Sequence, residues 1–300
     1  MESCGCLHLI NMKKKLTLII LHLICAAKLF AQHDAVREAI DRATDSIQTE
    51  GKALYRSEWT SWYGTDVFLE KCSPKRPLSG GYFSYETEDR LINIFFSKGD
   101  KPVVLASISF AKDFNPNNYK LDTIPRQLTK LEQDYHSLRI AAAKRMSTDT
   151  IFKRYKNSSL NIVPLVQKDA KKVYVLTGPD VNGIVIFGND YLMRFDDNNE
   201  ITSLKKLHKN IISIQAKADT GAAINTTMHT HLPESGDFMS ATDICTLLLY
   251  ENSTTWTQHY VISKNDVSIW DCQKNRLFIL TMQAWNKINA DQKSRHQNKQ

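Results

Sequence analysis

The chain has 300 residues, of which 42% are hydrophobic and 24% charged. That is the composition of an ordinary folded protein with room for one large domain or two smaller ones, and it excludes disorder, collagen and a polytopic membrane protein. The 39 basic and 32 acidic residues give +7, but Lys13, Lys14, Lys15, Lys28 and Glu2 fall in a leader, and without them 35 basic and 31 acidic residues leave +4. The surplus is spread without a basic patch, so no nucleic-acid partner is expected.

From Met12 the chain runs through Lys13-Lys14-Lys15, the apolar stretch Leu16 to Ala27, and Leu29-Phe30-Ala31 before Gln32. A basic segment, an apolar segment and a small residue at the cut read as an export signal over residues 1–31, with the mature chain starting at Gln32. The apolar run is short for a spanning helix and Lys28 closes it, so no stable membrane span is expected once the signal is removed. The expected location is periplasmic or secreted, an oxidising compartment without nucleotides. No Gly-rich phosphate loop is present. Of six cysteines, Cys4, Cys6 and Cys25 lie in the leader. Cys72, Cys245 and Cys272 remain, without CxxC spacing, which allows at most one bridge and leaves a Cys245–Cys272 pair open.

Val36, Ala39, Ile40, Ala43 and Ile47 recur at helical spacing over residues 34–50, and Gly51 stands where a C-terminal stop belongs. Tyr55, Trp59, Trp62, Tyr63 and Phe68 follow, and packing in a core is their expected role. After a turn-rich stretch from Ser73 to Gly81, strands are expected over 81–85, 91–97 and 103–110, an antiparallel meander. Leu128, Leu131, Tyr135, Leu138 and Ala142 mark a helix within 126–146. The pattern then turns to strands over 160–166, 173–177, 183–187, 191–195, 201–207, 211–214 and 226–231. A helix over 240–251, a hairpin over 260–270, a strand over 276–282 and a helical turn over 284–288 complete the series, and 289–300 reads as a frayed polar tail. The expected fold class is α+β: an N-terminal α/β module at 32–150 with the meander, then a mixed-sheet domain at 151–288.

The segment from Met228 to Asp243 holds the densest set of ligand-type side chains. On a strand, residues two apart share a face, so His229 and His231 present two imidazoles together. A loop with Pro233 and Gly236 reverses the chain, Ser240 can cap the next helix, and Asp243 sits in that helix's first turn. Two imidazoles and a carboxylate with a fourth position left for water form the ligand set of a catalytic zinc site. Alternatively, Ser240 and Asp243 are only a helix cap and a dipole partner.

His229-Thr230-His231 and Ser240-Ala241-Thr242-Asp243 resemble the two halves of the signature of the JAMM (JAB/MPN) zinc metallopeptidases, with eight intervening residues where the family has seven. A loop absorbs one residue at small entropic cost. The family's upstream Glu-x-x-Gly strand is matched by Asp180-Val181-Asn182-Gly183, continuing to Gly188, with Asp in place of Glu. The resemblance covers about residues 170 to 285. It implies zinc held by His229, His231 and Asp243, Ser240 as the oxyanion donor, and Asp180 as the general base, with Glu200 and Glu234 as rival acids.

The implied activity is an exported zinc hydrolase that cleaves a peptide or isopeptide amide in a protein substrate through a metal-bound water. The alternative is a non-catalytic envelope binding protein with a structural or vestigial zinc site, docking to an envelope partner through its N-terminal module. His208 and His259 lack ligand spacing and read as surface or hydrogen-bonded structural histidines. Cys245 reads as a buried apolar residue. No Gly-x-Ser-x-Gly elbow is present.

Overall fold

A computed structural model describes the backbone of residues 4–218 and 220–297, and the side chains of residues 34–297 except those of 219 and 296. The export signal expected at 1–31, its cut before Gln32, and Cys4, Cys6 and Cys25 thus lie outside the described side chains. Among the described residues no helix is long and apolar enough to cross a membrane.

Helix α1 is assigned Cys4–Lys71, and the chain divides into two compact units, residues 1–46 and 47–300. The division falls there and not near residue 150, because the second unit shares its cores across that point. Leu54 packs with Val163, Leu165 and Leu176, while Trp59 packs with Phe95 and Phe110. In the first unit, Val36 on the expected apolar face is 49% exposed. Gly51 does not end the helix. A Cβ there would lie 2.7 Å from Ile244 Cβ and 2.9 Å from Ala241 O, so the missing side chain admits the backbone of a crossing helix.

The aromatic segment beyond Gly51 is the continuation of α1. Trp59 and Phe68 are buried in the core, with Phe68 stacked on Phe95 at 3.8 Å, whereas Trp62 stays 50% exposed. The meander forms as the three strand-like runs imply: β1 (Ser79–Glu86), β2 (Arg90–Ser97) and β3 (Val103–Ala111) pair antiparallel in sequence order. Two strands the sequence pattern did not announce, β4 (Tyr119–Asp122) and β5 (Arg126–Gln127), pair with β3. Helix α2 (Lys130–Thr148) opens on a capping box in which Thr129 and Glu132 exchange hydrogen bonds.

The following strands build three smaller sheets. β6 (Ser158–Gln167), β7 (Ala170–Pro179), β9 (Tyr191–Phe195) and β10 (Ile201–Lys206) form an antiparallel sheet ordered β10-β9-β7-β6. Between β7 and β9, β8 (Ile184–Gly188) leaves that sheet and pairs with β11 (Ile211–Gln215). The last sheet, ordered β12-β13-β14-β15, contains β12 (Thr226–Thr230), β13 (Gln258–Ile262), β14 (Asp266–Asp271) and β15 (Arg276–Thr281). β12 and β13 run parallel. A parallel neighbour requires a crossover, here helix α3 (Ala241–Leu249), which packs Ile244, Leu247 and Leu248 against Val261 and Trp270.

Helix α4 (Met282–Gln297) extends through most of the segment expected to fray. Helices together with antiparallel and mixed sheets make this the expected α+β class. Among the described residues, Cys72, Cys245 and Cys272 are all free, so Cys245 and Cys272 do not pair.

Candidate metal centre

Strand β12 alternates exposed and buried positions, so Thr227 and His229 face inward, and His231 follows on the same side. α3 starts with a reciprocal cap: Ser240 Oγ accepts from Asp243 N at 3.1 Å, and Ser240 N donates to Asp243 Oδ2 at 2.8 Å. Ser240 Oγ also donates to Asp243 Oδ2 at 2.8 Å. The cap thus occupies one carboxylate oxygen twice and turns the group toward β12. Asp243 Oδ2 lies 3.3 Å from His231 Nε2, and Asp243 Oδ1 lies 3.7 Å from His229 Nε2.

A third imidazole completes the cluster. His208, on the loop between β10 and β11, places Nε2 3.0 Å from His231 Nε2 and 3.8 Å from Asp243 Oδ2. Gly188 makes its approach sterically accessible. It has φ +83°, and a Cβ there would lie 3.2 Å from His208 Cβ and 2.4 Å from Asn210 O. One ligand atom from each of His208, His229, His231 and Asp243 falls within 4.8 Å of the others, and all four residues are buried. Donors about 2.1 Å from a central ion at tetrahedral angles stand about 3.4 Å apart, the spacing several of these pairs already have.

Two observations test whether a cation fits. His229 Nε2 and Asp243 Oδ1 are buried without a hydrogen-bond partner among the described residues, and they face each other. An unpaired buried polar atom costs about 1–3 kcal/mol, which ligation would remove. Two of the three outer nitrogens are also held, whereas His231 Nδ1 is buried without a hydrogen-bond partner among the described residues. His208 Nδ1 lies 3.3 Å from Asp190 Oδ2; His229 Nδ1 lies 2.9 Å from His259 Nε2; His259 Nδ1 lies 2.7 Å from Thr227 Oγ1. If the relay ends by donating to Thr227, each imidazole carries its proton on Nδ1 and His229 Nε2 is left with a lone pair for a metal. Phe187 closes the wall, stacked on His259 at 4.7 Å and 5.1 Å from His229.

Burial pushes His229 down to about 4 and His259 down to about 3, so both imidazoles are neutral at pH 7. His208 differs. Burial opposes its charge, but Asp243 and Asp190 outweigh that and raise it to about 9, so ligation there must displace a proton. Burial would raise Asp243, yet His208, His229 and His231 hold it well below the usual carboxylate range. Asp190 goes the other way, raised by burial.

Of the residues singled out in the sequence, His229, His231, Ser240 and Asp243 are brought together. Asp180 is not: it is exposed before β8, at the end where Ile184 pairs with Gln215, whereas His208 approaches the Gly188 end. A strand of that length spans about 13 Å. Glu200 and Glu234 are exposed as well. The acid that reaches the cluster is Asp190, two residues beyond Gly188. Motif spacing missed His208, His259 and Asp190 because each arrives from a separate segment. Only His259 had a local signal, sharing an inward face with Val261 on alternating β13.

Fold and site together define an α+β protein with a buried three-histidine, one-carboxylate cluster that could hold a metal ion. No family model, no curated protein and no solved structure matches the chain.

Proposed function

We propose that the protein is an exported, metal-stabilised binding protein in which His208, His229, His231 and Asp243 hold one divalent cation, zinc by the chemistry of three imidazoles and one carboxylate. The reading is carried by the facing pair of unpartnered buried atoms, His229 Nε2 and Asp243 Oδ1, inside a ring of four donors. Structural zinc sites are closed by four protein ligands, whereas catalytic ones keep a position open. His208 fills the position that the JAMM resemblance leaves to water. A bound divalent cation would supply the positive charge that ties β12, α3 and the β10–β11 loop together. Asp190 orients His208, His259 backed by Thr227 orients His229, and Phe187 and Trp256 wall the His229 side.

The hydrolase reading rests on the order of His-x-His strand and Ser-x-x-Asp helix. It lacks a base, since Asp180 is remote, and Ser240 Oγ is engaged by Asp243. Elemental analysis of the purified protein separates the readings. One zinc per chain is expected in the wild type and almost none in His208→Ala. Chelation is expected to lower Tm by about 10 °C, from a ligand contribution of about 4 kcal/mol. Metal-free protein whose Tm ignores chelator would end the proposal, and a zinc-loaded His208→Ala that gains amidase activity would revive the hydrolase.

A further inference from the structure

Away from the histidines, α1 presents Glu58, Trp62 and Asp66 at four-residue intervals, along one stripe of the helix. The stripe forms one wall of a groove of about 530 Å3, whose other side carries Tyr82, Asn161 and Tyr250. A second hollow of about 470 Å3 continues it, sharing Trp62 and Tyr250. The Trp62 indole is 50% exposed, 6.2 Å from the Tyr250 ring and 6.5 Å from the Tyr63 ring. A half-exposed indole beside two phenols is a platform, not core.

Glu58 sets the polarity. Its Oε2 accepts from Asn161 Nδ2 at 2.5 Å, and Asn161 Oδ1 accepts from Tyr82 OH at 3.2 Å. Among the described residues no Lys, Arg or His nitrogen comes within 4.0 Å of the Glu58 carboxylate. The nearest cation, Arg139, is directed elsewhere: its guanidinium lies 4.6 Å over the Tyr82 ring, and Nη1 donates to Ile162 O at 2.7 Å. Burial pushes Glu58 up to about 7, against the pull of Asn161 and Arg139. A carboxyl group that is desolvated and not ion-paired is complemented by a cation from outside. Asp66, exposed at the rim, adds a second negative charge and disfavours an anion.

We infer that this groove binds an alkylammonium group, the chemistry of a lysine side chain or a free diamine, with the ammonium at Glu58 and the aliphatic stem across Trp62. This site is independent of the metal centre.

Titration calorimetry on the full chain tests it with Nα-acetyl-lysine amide, 1,5-diaminopentane and the uncharged Nα-acetyl-norleucine amide. Saturable binding of at least one ammonium probe is expected, with none for norleucine. Affinity should fall about tenfold in Glu58→Gln and in Trp62→Ala, and about threefold in Asp66→Asn, whose side chain lies at the surface. Binding of the lysine amide alone identifies a peptide ligand, and comparable binding of the diamine identifies a free amine; both support the inference. Equal binding of norleucine, wild-type affinity in both carboxylate variants, or no saturable heat with either ammonium probe overturns it. Circular dichroism and unchanged metal content in the variants show that the fold and the histidine centre are intact.

Discussion

Two helices of this protein begin with the same reciprocal cap, yet only one turns its carboxylate into a cluster of imidazoles that could hold a metal ion. At α2, Glu132 returns a bond to Thr129 N at 2.8 Å and accepts from Arg126 at 2.6 and 2.7 Å and from Tyr85 at 3.1 Å. Both of its oxygens are saturated. At α3, Asp243 spends Oδ2 on Ser240 and leaves Oδ1 unpartnered toward His229. A cap therefore does not disclose whether its carboxylate is structural or available. The neighbours decide: a guanidinium fork at one helix, three imidazoles at the other.

The sharpest way to break the comparison is to remove the charge of each carboxylate. Asp243→Asn keeps the shape of the cap and is expected to weaken zinc more than about a hundredfold, because charge neutralisation in the site is lost. Competition with a chromogenic chelator reads it, and wild-type affinity would place the ion elsewhere. Glu132→Gln is expected to destabilise the protein by about 2–3 kcal/mol in urea unfolding, with metal content unchanged.

That second difference should depend on pH. Burial alone would raise Glu132, but Arg126 and Thr129 hold it below the usual carboxylate value. The stabilisation is therefore full above the unfolded value of about 4.3 and fades as pH falls through the folded one, so wild type and variant should converge in acid. A gap that persists at low pH would mean that packing, not charge, is at stake.

A smaller effect sharpens the role of the relay. Thr227→Val removes the oxygen 2.7 Å from His259 Nδ1 and is expected to weaken zinc about tenfold without unfolding the protein. Zinc affinity equal to wild type would reduce Thr227 and His259 to packing.

Much of the secondary structure was legible because it rests on local periodicity. The β-branched and aromatic run from Leu91 to Ser97 marked β2, and the stripe through Tyr135, Leu138 and Ala142 marked α2. Gly51 misled because a glycine that ends a helix and a glycine that admits a crossing helix look alike in sequence; only Ile244 at 2.7 Å distinguishes them. Trp62 was indistinguishable from Trp59 by residue type, and only tertiary packing left one ring half in solvent and buried the other.

The sequence by itself determined one strand bearing two imidazoles and one helix bearing a capped carboxylate, because both patterns repeat within a few residues. The tertiary structure decided everything that depends on distant segments meeting. It brought His208 in from the β10–β11 loop through the space left at Gly188, placed Asp190 behind it, and left Asp180 in solvent. The closure of the cluster belongs to packing among segments spread from Phe187 to His259, which no local spacing encodes.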